Sequence, residues 1–252
     1  MPSSLLLVDA LGLAYRSFHA IGVLTNAAGQ QTQAVYGVIK TLAQMERVWH
    51  PSHRLVVFDG GLPPDRLALC PDYKAQRPAM PPDLRSQLPL LEAWLEAASI
   101  DYIRRERMEA DDVLATVAAR AARAGFDVLL ASSDKDLLQV VGPGVSVIAP
   151  GHVEERIGPA EVQARTGVRP DQIVDWLALT GDQADNIRGV PGIGPKTAAR
   201  LLVRWPTLAE LLAHLDEVEP EKTRVALSES RALLARNERL LRLRTDLEGL
   251  PD

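Results

Sequence analysis

The chain has a single cysteine, Cys70, which excludes an internal disulfide and a cysteine-rich zinc site and points to a reducing compartment. No basic residue precedes the first apolar stretch, MPSSLLLVDA, and that stretch meets Asp9 before it is long enough for a signal sequence or a membrane span. It reads instead as the first strand of a cytoplasmic protein. None of the five histidines, His19, His50, His53, His152 and His214, has metal-ligand spacing or a triad partner, which argues against zinc and for oxygen-only coordination. The spacing GxxxxGK(S/T) is absent, so a nucleotide loop of the Walker type is excluded. There is no internal repeat and no low-complexity segment.

What remains is the composition of an ordinary soluble protein: 252 residues, 46% apolar and 24% charged, enough for one large domain or a domain with a smaller appendage. The net charge of -5 looks unsuited to a nucleic-acid partner. Nine of the 33 acids fall in short clusters, however, and the other 24 face 28 Lys and Arg, which leaves a mildly basic balance outside the clusters.

Three clusters stand where an apolar run stops: LLLVD at Asp9, LVVFD at Asp59, and DVLLASSDKD at Asp134 and Asp136. Glu109, Asp111 and Asp112 open a helical stretch, and Asp182 with Asp185 precede a glycine-rich turn. Taken singly, each acid has a structural reading as a helix cap, a turn former or a complement to the helix dipole. Taken together, acids at the carboxyl ends of parallel strands share one crevice, where their repulsion is relieved by divalent cations. Mg²⁺ keeps several waters and takes few carboxylates directly, so nine acids suit two ions with some acids holding metal-bound water. Two such ions serve phosphodiester hydrolysis.

Strand and helix alternate through the first part of the chain. Val35, Ile39, Leu42, Met45 and Trp49 predict an amphipathic helix over 32–49, followed by a strand from Leu55 to Phe58. A helical stripe after Asp112 closes at Gly125, and Asp127 to Ala131 reads as a strand. The expected fold is α/β, a mostly parallel sheet flanked by helices over 1–158, with a helical subdomain over 159–252 whose short helices open at Pro159, Pro170 and Pro206. The proline-rich interval from Gly60 to Pro89 is too long for a plain connection and reads as a functional loop, later helical. Arg224 to Arg244 reads as a solvated helix with a buried leucine face.

Gly192 and Gly194 form a tight turn ahead of a helix containing Lys196 and Thr197, the form of a helix-hairpin-helix over about 187–204 that grips a phosphate backbone without reading bases. Lys74 and Arg77, in the proline-rich loop, are placed to stabilise charge on a phosphate. Tyr15 and Arg16 offer a ring for a splayed base and a guanidinium for phosphate.

The motifs LLLVD with Tyr15 and Arg16, VVFD, DYKAQRP, MEADDVLAT, SSDKDLLQ, LALTGDQADNI and GVPGIGPKTAA resemble, in order and spacing, the 5′ nucleases: the 5′-3′ exonuclease domain of bacterial DNA polymerase I, phage 5′ exonucleases and flap endonucleases. The resemblance implies a PIN-like nuclease core with a helical arch, about residues 70–98, that admits a single-stranded 5′ end. It implies two or more Mg²⁺ or Mn²⁺ ions held by Asp9, Asp59, Glu109, Asp111, Asp112, Asp134, Asp136, Asp182 and Asp185, with Lys74 and Arg77 at the arch base. It also implies duplex binding at the hairpin with a monovalent ion, commonly K⁺. The implied partner is DNA with a 5′ flap, nick or single-strand/double-strand junction, with a DNA polymerase acting in trans and no membrane. Ser133 stands where the family generally has glycine, Gln183 and Ala184 replace a serine pair, and Arg188 replaces a proline; none removes a ligand. Two other readings compete: a branched-DNA binding protein without catalysis, which would use the hairpin and arch alone, and an RNase of PIN-like architecture, which would share the acids at strand ends but should lack the hairpin run and the Lys74 loop.

Overall fold

Leu5 to Val8, Leu55 to Phe58 and Val128 to Ala131 are apolar without interruption, as expected of parallel strands covered on both faces. They lie in β1 (Ser4–Asp9), β2 (His53–Phe58) and, after the edge strand β3 (Asp101–Arg104), β4 (Asp127–Ala131). The computed structural model describes residues 3–250 and sets these strands in a six-stranded sheet of order β3-β2-β1-β4-β5-β6. Here β5 is Val145–Ile148, and the two-residue β6 (Arg156–Ile157) is the only antiparallel member. The order reverses direction between β1 and β4, and at such a switch point the strand ends open a crevice.

Register decides which core each side chain joins. Leu7 lies opposite Leu55 and Leu130, whereas Val8 lies opposite Val56 and Ala131. Because side chains alternate along a strand, the first set faces one core and the second set the other. The face of Val8 is covered by α1 (Ala10–Ala20) and α2 (Gln33–Trp49), and, beyond the short α3 (Pro64–Leu69), by α4 (Pro82–Arg85) and α5 (Leu88–Ala97). The face of Leu7 is covered by α6 (Ala110–Arg123).

Helix α2 forms where its periodicity predicts, but its buried line is Ala34, Val38, Leu42 and Met45, and Val35 and Ile39 are only half-buried. At the crossing with α1, a Cβ on Gly37 would come within 2.4 Å of Ser17 Cβ, so only glycine allows the two helices to pack this closely.

From Pro159 the chain continues through α7 (Pro159–Thr166), α8 (Ile173–Thr180), a ribbon of β7 (Gly181–Asp182) and β8 (Ile187–Arg188), α9 (Pro195–Arg204), α10 (Leu208–Ala213), α11 (Glu221–Glu229) and α12 (Arg231–Leu241). Two expectations are corrected here. Strand structure does not end at residue 159, because β7 and β8 pair antiparallel, and two-residue strands leave no apolar run to detect. Pro206 does not open a helix either; α10 is capped by Thr207, whose Oγ1 accepts from the Glu210 N–H at 3.1 Å.

The apolar faces of these helices share the core of α6: Leu114, Leu137, Leu177 and Leu202 belong to one buried cluster. Asn237, fully buried, donates through Nδ2 to the carbonyls of Ala178 at 3.1 Å and Arg188 at 2.7 Å and so ties α12 to α8 and the ribbon. Among the described residues no helix is long and apolar enough to cross a membrane.

Candidate active site

The strand ends deliver their acids to the crevice already fixed by local bonds. Asp9 caps α1, its Oδ1 accepting from the Gly12 N–H at 2.9 Å, while its Oδ2 accepts from Ser132 Oγ at 3.1 Å. Asp59, directly after β2, accepts from the N–H groups of Gly61 at 2.8 Å and Ala110 at 3.4 Å. Beyond β4, the Asp136 N–H donates to Asp134 Oδ1 at 2.9 Å. The capping role and the crevice role are therefore held by the same side chains.

The ribbon brings the last two acids across. A Cβ on Gly181 would lie 2.3 Å from the Gly189 nitrogen, and one on Gly189 would lie 2.2 Å from the Thr180 carbonyl carbon, so only glycine lets the two strands close. Between them Asp182 accepts from the Ala184 N–H at 2.9 Å, and Asp182 and Asp185 are both buried. Asp136, Asp182 and Asp185 each offer a carboxylate oxygen within 4.8 Å of the others.

The electrostatics are those of acids sharing one crevice. Burial raises the Asp9 pKa, and Asp134 and Asp59 raise it further. Asp111 is held well above the usual carboxylate range by burial, with Asp134, Asp9 and Asp136 adding to the effect. Asp136 is likewise held well above that range by burial, then by Asp134, Asp185 and Asp182. Burial also raises Asp134, although the Asp136 N–H opposes the shift. Buried like charges of this kind call for a cation. The donor set fits one: it is all oxygen, and Asp136 Oδ1 is buried with no hydrogen-bond partner.

Glu109 and Asp112 behave differently from Asp111. Arg66, a buried residue that carries no motif signal in the sequence, donates to Glu109 and to both oxygens of Asp112, at 2.8 and 2.9 Å. Asp112 Oδ1 also accepts from the Arg244 N–H at 2.9 Å, so this acid is turned into the protein and not toward the crevice. These bonds tie Asp112 to α3 and to the chain after α12. The helical spacing of Glu109 and Asp112 does put them on one side, but Arg66 is what they face there. Burial raises the Asp112 pKa, with Arg66 opposing the rise. Glu109 also accepts from Tyr73 Oη at 3.1 Å and from Lys74 Nζ.

Lys74 and Arg77 both reach the acids. Arg77 Nη2 donates to Asp185 Oδ1 at 2.6 Å, and Lys74 Nζ lies 3.5 Å from Asp185 Oδ2. Burial alone would lower the Lys74 pKa, but Glu109 and Asp185 outweigh it, so the ammonium is more basic than usual and stays charged. A further cation absent from the sequence reading, Lys135, sits 3.0 Å from Asp182 Oδ1. Tyr15 is half-buried and its ring stacks against His19 at 6.4 Å, while the Arg16 guanidinium lies beside Gly151, where a Cβ would meet Nη2 at 2.5 Å.

In the segment 70–98, Leu84, Leu91 and Leu95 are fully buried in α4 and α5, and the part beside the acids is a turn-rich loop, mostly exposed, whose Lys74 has φ of 56°. In the hairpin, Gly192 makes the turn at φ +80°, Gly194 is the N-cap of α9, Lys196 is exposed and Thr197 half-buried.

A cavity of about 860 Å³ lies at the opposite end of the sheet, lined by residues such as Leu5, His53, Ile100 and Phe126, and takes no part in this site.

The switch-point crevice is thus lined by buried acids from several segments, and the chain also carries a glycine turn leading into a helix with an exposed lysine. The family model described as 5′-3′ exonuclease, N-terminal resolvase-like domain, matches residues 4–167, and that described as 5′-3′ exonuclease, C-terminal SAM fold, matches residues 168–250. The chain belongs to the 5′-3′ exonuclease family. It is 40% identical over 249 residues to DNA polymerase I of Bacillus caldotenax, covering 98% of this chain and 28% of that protein. It is also 40% identical over 243 residues to a thermostable DNA polymerase I of Thermus thermophilus, covering 96% and 29%. The chain thus spans less than a third of these polymerases. The T5 D15 protein, co-crystallised with metal ions, shares the fold at a TM-score of 0.78 and 22% identity, with 94% of this chain and 89% of that chain covered. The catalytic core of Rad2 in complex with DNA substrate shares it at 0.57 and 16%, with 94% and 73% covered.

Proposed function

We infer that this chain hydrolyses DNA phosphodiester bonds at 5′ ends, flaps or nicks, using Mg²⁺ or Mn²⁺. The observation that carries the reading is the convergence of Asp9, Asp111, Asp134, Asp136, Asp182 and Asp185, from segments far apart in the chain, around an unpartnered buried Asp136 oxygen. Bound there, two divalent ions supply an activated water and compensation of charge on the phosphoryl oxygens. Mg²⁺ suits a site without nitrogen or sulfur donors.

The protein's own groups position and neutralise. The six aspartates and Asp59 hold the ions directly or through water. Lys74 stays protonated because Glu109 and Asp185 flank it, so it acts as a fixed cation toward the scissile phosphate and not as a base. Tyr73 Oη, with one proton to donate, lies within hydrogen-bond distance of both Glu109 and Asp185 and sits between the two acids. Arg77, partly exposed, is the second cation available to the strand.

Gly192, Gly194, Lys196 and Thr197 at the start of α9 hold the phosphates of the adjoining duplex, with K⁺ at the turn, and Tyr15 and Arg16 bear on the single-stranded end. The kinship with polymerases supports a DNA polymerase as the partner in trans and the cytoplasm as the place of action.

Digestion of 5′-labelled flap, nicked and blunt duplexes with and without Mg²⁺ tests the reading. The expected result is short products near the junction with Mg²⁺ and none without it. Binding without ion-dependent cleavage would favour a non-catalytic branched-DNA binding protein, and equal cutting of all-RNA flaps an RNase.

A further inference from the structure

Arg66 is the most completely bonded cation among the described residues. Its guanidinium has five N–H groups, and each has an acceptor: Nε the Leu240 carbonyl at 3.0 Å, Nη1 Glu109 and Asp112, and Nη2 Asp112 and the Arg242 carbonyl at 3.4 Å. The side chain is 6% exposed, and those of Glu109 and Asp112 are 2% and 3% exposed. The three charges are therefore deeply buried together.

The two acids it joins are not equivalent. Asp112 is bonded to Arg66 and the Arg244 N–H and, among the described residues, makes no hydrogen bond to another acid-cluster residue. Glu109 turns its other bonds toward Tyr73 and Lys74, which in turn reach Asp185. Arg66 is also anchored to the two carbonyls at the C-terminal end of α12, where a helix dipole favours a cation. A chain of bonds thus runs from α12 through Arg66 to Glu109 and into the acid cluster.

We propose that Arg66 is a positioning residue for the metal site, that it fixes Glu109 against the docked end of α12, and that Asp112 acts on the site only by orienting Arg66 and is not itself a metal ligand. The proposal rests on the nuclease reading above. Within it, Asp112 connects to the acid cluster through Arg66 and Glu109, whereas Asp111, its neighbour on the same helix turn, has Asp134 and Asp9 as charged neighbours.

Mn²⁺ titration calorimetry on the whole chain, followed by thermal melting, separates these roles without relying on turnover. Asp112→Asn is expected to keep the wild-type ion count and to lose less than about tenfold in affinity, whereas Asp111→Asn loses an ion. Arg66→Met is expected to weaken Mn²⁺ binding by about 10- to 100-fold, Arg66→Lys to recover part of it, and Asp112→Asn to add nothing further in the Arg66→Met background. Should Arg66→Met not fold, the Asp112→Asn and Asp111→Asn comparison decides alone. Loss of an ion in Asp112→Asn, or affinity as weak as that of Asp111→Asn, overturns the proposal. Absence of any Mn²⁺ binding by the wild-type chain would instead sink the nuclease reading on which it stands.

Discussion

Lys74 and Asp185 meet twice: the Lys74 N–H donates to the Asp185 carbonyl at 3.1 Å, and Lys74 Nζ lies 3.5 Å from Asp185 Oδ2. The backbone bond holds Lys74 in its left-handed conformation, φ 56°, which costs a non-glycine residue about 1 kcal/mol or more. A lysine held in that way delivers its charge to one place.

Lys74→Met should therefore reduce the single-turnover cleavage rate by about 10²- to 10³-fold while DNA affinity falls far less, because the interaction removed is strongest as charge develops on the phosphate. Rapid-quench kinetics on a labelled flap check this. A loss confined to DNA affinity would assign Lys74 to binding alone.

Asp134→Asn should lower turnover by about three orders of magnitude and yet raise the stability of the metal-free protein by about 1 kcal/mol. The stabilisation follows from relief of crowding, since burial and neighbouring acids already hold the Asp134 proton more tightly than usual. Chemical denaturation in EDTA and a cleavage assay in Mg²⁺ measure the two effects. A variant that is both less stable and still active would remove Asp134 from the site.

The pH dependence of stability has a definite sign. Asp9, Asp111, Asp134 and Asp136 all have folded-state pKa values raised above the ordinary 3.8, so the folded chain binds more protons than the unfolded one over the interval between. Their contribution is present below the unfolded value and is lost as pH rises through the folded values. The melting temperature of the metal-free protein should fall as pH rises above the ordinary carboxylate range, and saturating Mn²⁺ should flatten the fall. A metal-free melting temperature that climbs across this range would contradict the crowding.

Most of the parallel sheet was legible because both faces are covered, which writes strands as unbroken apolar runs: Asp127 to Ala131 is a strand with those bounds. The acids at the strand ends were legible for the same reason, since a charge is conspicuous after LLLV or LVVF. The ribbon that carries Asp182 was not, because its pairing depends on Gly181 meeting Gly189 and not on any apolar period. Nor was Arg66, whose acceptors lie 43 to 176 residues away. Asp111 and Asp112 look alike in sequence, and the partner that distinguishes them comes from α3.

At the hairpin, Lys196 is exposed on the first turn of α9, and no hydrogen bond or ion pair engages it among the described residues. Lys196→Ala should weaken duplex binding about equally for all sequences and reduce the salt slope by about 1, as for a single phosphate contact. Fluorescence anisotropy over a salt series reads both. Unchanged affinity and slope would move the duplex away from this turn.

The account rests on buried acids whose mutual repulsion a divalent ion relieves, and thermal melting of the wild-type chain with and without Mn²⁺ tests that most directly. At an ion concentration about a hundredfold above Kd, binding to the folded state alone contributes about 2.7 kcal/mol, which for a chain of this size is a rise of about 5–10 °C. A melting temperature that does not move when Mn²⁺ or Mg²⁺ is added would contradict it.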